Sequence, residues 1–216
     1  MRKILFALAL IFLFSTVVLS QSTRFGLTGG VVYSTMFTNI NGETDLGKFK
    51  FGGTVGVLVD VPMEKKGSFR TGVNFVQKGA TNETTDGTDK IEESFRLNYI
   101  EVPLLALFNV PCKSGKKIRL GGGVTPGFAI SGKHKVEVNG TGDEEDIDFG
   151  DKTDSDLNWV DFSLNFQAEY EFDGGVFLGL GYSQGINRLF VGGSEKDKLY
   201  NHYFSLRVGY FLSKKK

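Results

Sequence analysis

Residues 159–172, WVDFSLNFQAEYEF, alternate between apolar and polar side chains almost without fault. Val160, Phe162, Leu164, Phe166, Ala168, Tyr170 and Phe172 share one phase, and Asp161, Ser163, Asn165, Gln167, Glu169 and Glu171 share the other. Side chains on a strand point alternately to opposite faces, so this segment has one greasy and one wet face. Half-buried soluble strands usually alternate for about four to eight residues. A longer run suits a tilted strand that crosses a bilayer and rises past its edge.

The rhythm recurs along the chain. Strand composition predicts elements at 24–35, 49–61, 68–78, 95–110, 117–131, 158–172, 176–189 and 199–212. The number is even, as in single-chain bacterial barrels. The connections 36–48, 79–94, 132–157 and 190–198 are long and polar, whereas 62–67, 111–116 and 173–175 are short. Outer-membrane barrels keep short turns on the periplasmic side and long loops outside, which would place both termini in the periplasm.

Phase then sorts the residues between lipid and lumen. In the second strand Val55, Val57, Val59 and Val61 oppose Thr54, Gly56, Leu58 and Asp60; in the eighth, Phe204, Leu206, Val208 and Tyr210 oppose Ser205, Arg207 and Gly209. Eight strands enclose an interior only wide enough for side chains. The inward phase collects Arg24, Arg70, Arg119 and Arg207 with Asp60, Asp161, Glu169 and Glu101. Such a set is expected to neutralise itself and plug the lumen, since arginine stays charged and its planar fork grips carboxylates. The fourth strand is ambiguous. Residues 99–107 are apolar on both faces, and Pro103 predicts a bulge or a broken ladder that leaves the phase open.

That strand also carries a family likeness. Leu97-Asn98-Tyr99-Ile100-Glu101-Val102-Pro103-Leu104-Leu105 resembles the middle-strand signature of the PorT-like outer-membrane β-barrel family. Gly179-Leu180-Gly181-Tyr182-Ser183-Gln184-Gly185-Ile186-Asn187 is similar to its late strand, and Gly29-Gly30-Val31-Val32-Tyr33-Ser34 to its first. The resemblance runs from about Thr23 to Leu212. It implies an outer-membrane barrel and a link to secretion and sorting at the cell surface, and it transfers no functional residue. The C-terminus departs from the common barrel pattern, because Phe211 is followed by Leu212-Ser213-Lys214-Lys215-Lys216.

The first 20 residues read differently. Arg2-Lys3, the apolar run from Ile4 to Leu19 and the small Ser20 predict a signal peptide (1–20), leaving 21–216 as one barrel domain. The 25 basic and 25 acidic residues become 23 and 25 once Arg2 and Lys3 are removed. No basic stripe exists, which excludes nucleic acid as a partner. Bases gather in the short turns and tail (Lys65, Lys66, Lys113, Lys116 and 214–216), and acids in the long loops. The 29 glycines follow no collagen period and suit tight barrel coiling. Cys112 is the sole cysteine and reads as a free thiol.

Candidate chemistry is sparse. His202 and Ser205 are three apart on a strand and should face opposite sides, a poor dyad. His134 falls in a predicted loop. The acidic stretch 143–156 offers oxygen ligands for calcium at Asp143, Glu144, Asp146 and Asp148, but lacks an ordered loop motif. Residues 135–138 and 146–149 alternate and suggest that strands five and six continue as a hairpin above the membrane.

The sequence thus predicts an all-β, eight-stranded antiparallel up-and-down transmembrane β-barrel after a signal peptide. Its expected role is non-enzymatic, structural or secretion-associated, without cofactor, in the outer membrane of a Gram-negative cell. Its expected partners are the lipid bilayer and secretion or envelope proteins. The competing readings are a narrow pore and a soluble periplasmic lipocalin-like binder of an apolar ligand.

Overall fold

A computed structural model describes residues 23–40, 42–63, 67–110, 117–151, 155–191 and 197–212. The signal-peptide segment, Cys112 and the lysines of the short turns and tail named above lie outside the described residues. Eight long strands form the wall: β1 (Arg24–Ile40), β2 (Lys48–Met63), β3 (Gly67–Asp86), β4 in two segments (Asp89–Glu101 and Leu104–Val110), β5 (Lys117–Val138), β6 (Val160–Glu171), β7 (Val176–Gly185) and β8 (Lys198–Phe211).

Each strand pairs antiparallel with its chain neighbours, and β8 pairs back onto β1, with Arg207 opposite Gly30. The sheet therefore closes and keeps no free edge in its wall. The predicted alternation governs its faces. Phe51, Val55, Leu120, Phe166, Leu180 and Val208 are exposed on the outside, while Asp60, Arg70, Arg119, Asp161 and Glu169 are buried inside. A soluble barrel would reverse this polarity. Here the apolar belt meets lipid and the polar groups meet one another.

Pro103 breaks the ladder without shifting it. Between β3 and β4 the pairing stops after Asn74 opposite Glu101 and resumes at Arg70 opposite Leu105, in the same register. The phase therefore holds through the gap. Tyr99, Glu101, Pro103, Leu105 and Leu107 face inward, and Leu104 and Phe108 face outward. The register shift lies instead in the partner strand, where β5 passes from Ser131 opposite Asn98 to Ala129 opposite Tyr99. A second lies between Phe49 and Thr54 of β2.

The regions expected to be long loops are mostly strand. β3 and β4 run on as a hairpin to Asp86 opposite Asp89, and β1 continues to Ile40, covered by the short strand Glu43–Leu46. β5 continues to Val138 and turns at Asn139-Gly140, both at positive φ, into the strand Thr141–Asp146. That two-residue turn with left-handed torsions matches the twist of a hairpin. The expected hairpin between strands five and six is thus corrected: β5 pairs with its own return strand, and Phe149–Gly150 pairs in parallel with Leu157–Asn158. The alternation of residues 135–138 foretold the extension of β5, whereas the extensions of β1, β3 and β4 were read as polar loops because a strand wetted on both faces has no apolar phase to reveal it.

β7 also ends earlier than expected, at Gly185 rather than 189. Ile186 donates to the Phe162 carbonyl (2.8 Å), and the Leu189 amide and carbonyl bond to Leu199 and Asn158. This turns residues 186–191 inward over the mouth. There Leu189, Leu157, Leu199, Met36, Leu97, Tyr99 and Ala80 form an apolar layer, with Phe149 and Phe190 packed against it.

Candidate functional site in the barrel lumen

The strand period delivers a charged side chain to the lumen at almost every level, and these charges gather in two groups. The group near the chain ends centres on three arginines. Arg24 on β1 donates to Asp60 (2.6 Å) and Glu171 (2.8 Å). Arg70 on β3 donates to Asp60 (3.2 Å) and pairs with Glu169. Arg119 on β5 reaches Asp60 (2.7 Å), Glu169 (2.9 Å) and Glu171 (3.2 Å). Every carboxylate in the group therefore touches at least two arginines. The planar, multidonor guanidinium permits this sharing.

The Phe211 ring lies among these arginines, with the Arg24 guanidinium 3.9 Å from its centroid. Leu58 and Phe177 pack against that ring. Phe177 fits because it lies over Gly209, where a Cβ would strike the ring. Glycine is required at that close approach.

The second group is built on one lysine. The Lys78 ammonium on β3 pairs with Glu101 (2.7 Å) and Asp161 (2.9 Å), and all three are buried. It lies 4.5 Å from the Tyr99 ring centroid and 5.2 Å from that of Tyr203. Neutral donors complete the carboxylates: Tyr203 Oη donates to Glu101 (2.9 Å), and Asn201 Nδ2 donates to Asp161 (2.8 Å). The apolar layer of the mouth covers this group through Tyr99 and Leu97.

Arg207 lies between the groups. It joins none of the ion pairs among the described residues, and its Nε is buried without a hydrogen-bond partner. It lines a cavity of about 20 Å³ with Arg70, Asn74, Glu101 and Tyr203, room for about one water.

Seven of the eight residues singled out by phase thus enter the two ion-pair groups, and Arg207 stands apart from both. The charge set drawn from the sequence left out Lys78 and Glu171. Both were legible, since Lys78 is in step with Arg70 and Asn74, and Glu171 with Asp161 and Glu169.

The calcium candidates are not brought together. Asp143, Glu144 and Asp146 occupy an exposed strand, Asp148 follows it, and Glu144 pairs with Lys133. The described residues contain no cluster of three or more potential ligands that could hold a metal. An extended strand spreads carboxylates over two faces, whereas calcium needs six to eight oxygens curled around one point. That Lys133 hydrogen bond also holds the Glu144 carboxyl below the usual carboxylate range.

His202 faces outward beside Tyr182 and Gln184, while Ser205 is buried on the inner face. They form no dyad. His134 lies on the extension of β5 rather than in a loop, stacked on Phe95 at 4.4 Å between centroids.

A family model described as outer membrane protein beta-barrel domain matches residues 19–191. The chain belongs to that family. It is accordingly an outer-membrane protein of the Gram-negative envelope, which corrects the soluble lipocalin-like alternative. Among solved structures the barrel is similar to Ail, the attachment invasion locus protein of Yersinia pestis. The identity is 13% over 88% of this chain and 98% of that one, at a TM-score of 0.47. It is also similar to Neisserial surface protein A, at 12% identity over 88% and 99% of the two chains and a TM-score of 0.45. The translocator domain of the autotransporter NalP from Neisseria meningitidis follows at 11% identity over 87% and 88%, with a TM-score of 0.34. No curated protein matches the sequence.

Proposed function

We propose that this protein is a non-enzymatic barrel with a plugged lumen, acting at the cell surface through its extended hairpins. It serves a structural or secretion-supporting role among envelope proteins, as a member of the PorT-like branch. One observation carries the reading. Two successive layers of paired charge cross the lumen, and the space left beside Arg207 is about 20 Å³. Opposite charges held this closely in a narrow interior leave no continuous water path.

The spacing of the connections supports an orientation with both termini in the periplasm. Both described chain ends share one end of the barrel with the strand ends Met63, Gly67, Val110 and Lys117, and the convention of outer-membrane barrels assigns that end to the periplasm and the long hairpins to the outside.

Single-channel recording of the refolded protein in a planar bilayer tests the plug. No appreciable conductance is expected. Steady open conductance would overturn it and make the protein a narrow pore.

A further inference from the structure

A second cavity, larger than the one beside Arg207, lies outside the lumen. It opens at the long-hairpin end, with a volume of about 810 Å³. Its floor is apolar, formed by Met36, Leu157 and Leu199 of the mouth layer with Phe95 and Phe190 beside them. Its wall carries Glu43, Asp45, Glu93, Glu145, Asp146 and Asp156 from four separate stretches of chain. Among the described lining residues there is no lysine or arginine.

The bases of the hairpins are committed elsewhere. Lys48 and Lys90 pair with Glu83, Lys133 with Glu144 and Lys135 with Glu137, and none of these acids lines the cleft. None of the wall carboxylates is in a lysine or arginine salt bridge among the described residues; His134 lines the cleft with them, and Asp156 accepts the Asp148 amide (2.8 Å).

We propose that this cleft binds a small cationic amphiphile, its apolar body on the floor and its ammonium or guanidinium among the wall carboxylates. The cavity has the size of sites for molecules of drug-like dimensions. A bare metal ion would leave the floor unused, and no ligand cluster for one exists among the described residues. A neutral amphiphile would leave the wall unused. Only a molecule carrying both features uses both surfaces, and complementary charge supplies the selectivity.

The test uses the refolded protein in phosphatidylcholine nanodiscs and the fluorescent probe dansylcadaverine, with its uncharged N-acetyl derivative as comparison. Dansylcadaverine should bind saturably with a blue-shifted emission that weakens as salt is raised, and the acetylated probe about ten-fold more weakly. The triple variant Glu93→Gln, Glu145→Gln, Asp146→Asn should lose about ten-fold in affinity, since each exposed charge contributes a fraction of that factor. Asp86→Asn with Asp89→Asn, at a hairpin tip outside the cleft, should bind like the parent. Equal binding of the two probes by the parent protein would overturn the proposal, whatever the variants do. So would an equal loss in the tip variant, which would mean that diffuse surface charge attracts the probe.

Discussion

The two charge groups of the lumen are built on opposite plans. Near the chain ends, three arginines and three carboxylates share bonds, so each carboxylate keeps a partner when one arginine is lost. Beneath the mouth, Lys78 alone holds Glu101 and Asp161, with only the neutral Tyr203 and Asn201 as further support. The first arrangement is redundant. The second depends on one ammonium. Its charge is also unbalanced by itself, since two carboxylates meet one lysine, and Arg207 between the groups supplies the fifth cation against five carboxylates. Charge balance in this lumen is thus a property of the whole interior, whereas tolerance to mutation belongs to each group separately.

Lys78→Met should expose the contrast most sharply. It strands two buried carboxylates, at a cost on the order of 3–5 kcal/mol. The temperature at which the folded band converts to the unfolded band on a semi-native gel should fall accordingly. A drop no larger than that of Arg119→Met would abolish the distinction between the groups.

A charge placed on the other face of the wall comes next. Leu164→Arg puts a cation on the lipid side of β6, where about 2–4 kcal/mol is expected near the bilayer midplane. Folding yield into vesicles should drop, and normal yield would argue that Leu164 does not face lipid.

Arg119→Met should cost less than either, about 1–3 kcal/mol. Asp60 keeps Arg24 and Arg70, Glu169 keeps Arg70, and Glu171 keeps Arg24. Urea unfolding in detergent measures the difference from Lys78→Met. Loss of folding in Arg119→Met would show that sharing gives no protection.

The smallest effect belongs to the exposed hairpins. Glu144 pairs with Lys133 at the surface, where solvent screens the interaction and each side chain remains mobile. Glu144→Gln should leave the gel transition where it is. A shift comparable to Arg119→Met would mean that the hairpins brace the barrel itself.

The period-two pattern by itself determined the barrel: how many strands cross, which residues face lipid, and that Asp60, Arg70, Arg119, Asp161 and Glu169 face inward. That was legible because the apolar belt must match a bilayer and the pleat allows only two faces. Lys78 needed only the phase of Arg70 and Asn74 carried a few residues further, and Glu171 already shared the phase of Asp161 and Glu169.

Three features were decided by the tertiary structure alone. The extensions of β1, β3 and β4 gave no apolar phase, because water accepts both of their faces; only residues 135–138 of β5 betrayed theirs by alternation. The phase through Pro103 depended on the neighbouring strands, which hold the same register on either side of the broken ladder and so fix the intervening residues. The partition of the charges into a shared arginine group and a single-lysine group depended on which levels of different strands closure brings side by side. Sequence phase places a side chain inside the barrel, but stagger between strands separated by many residues decides which opposite charge it meets.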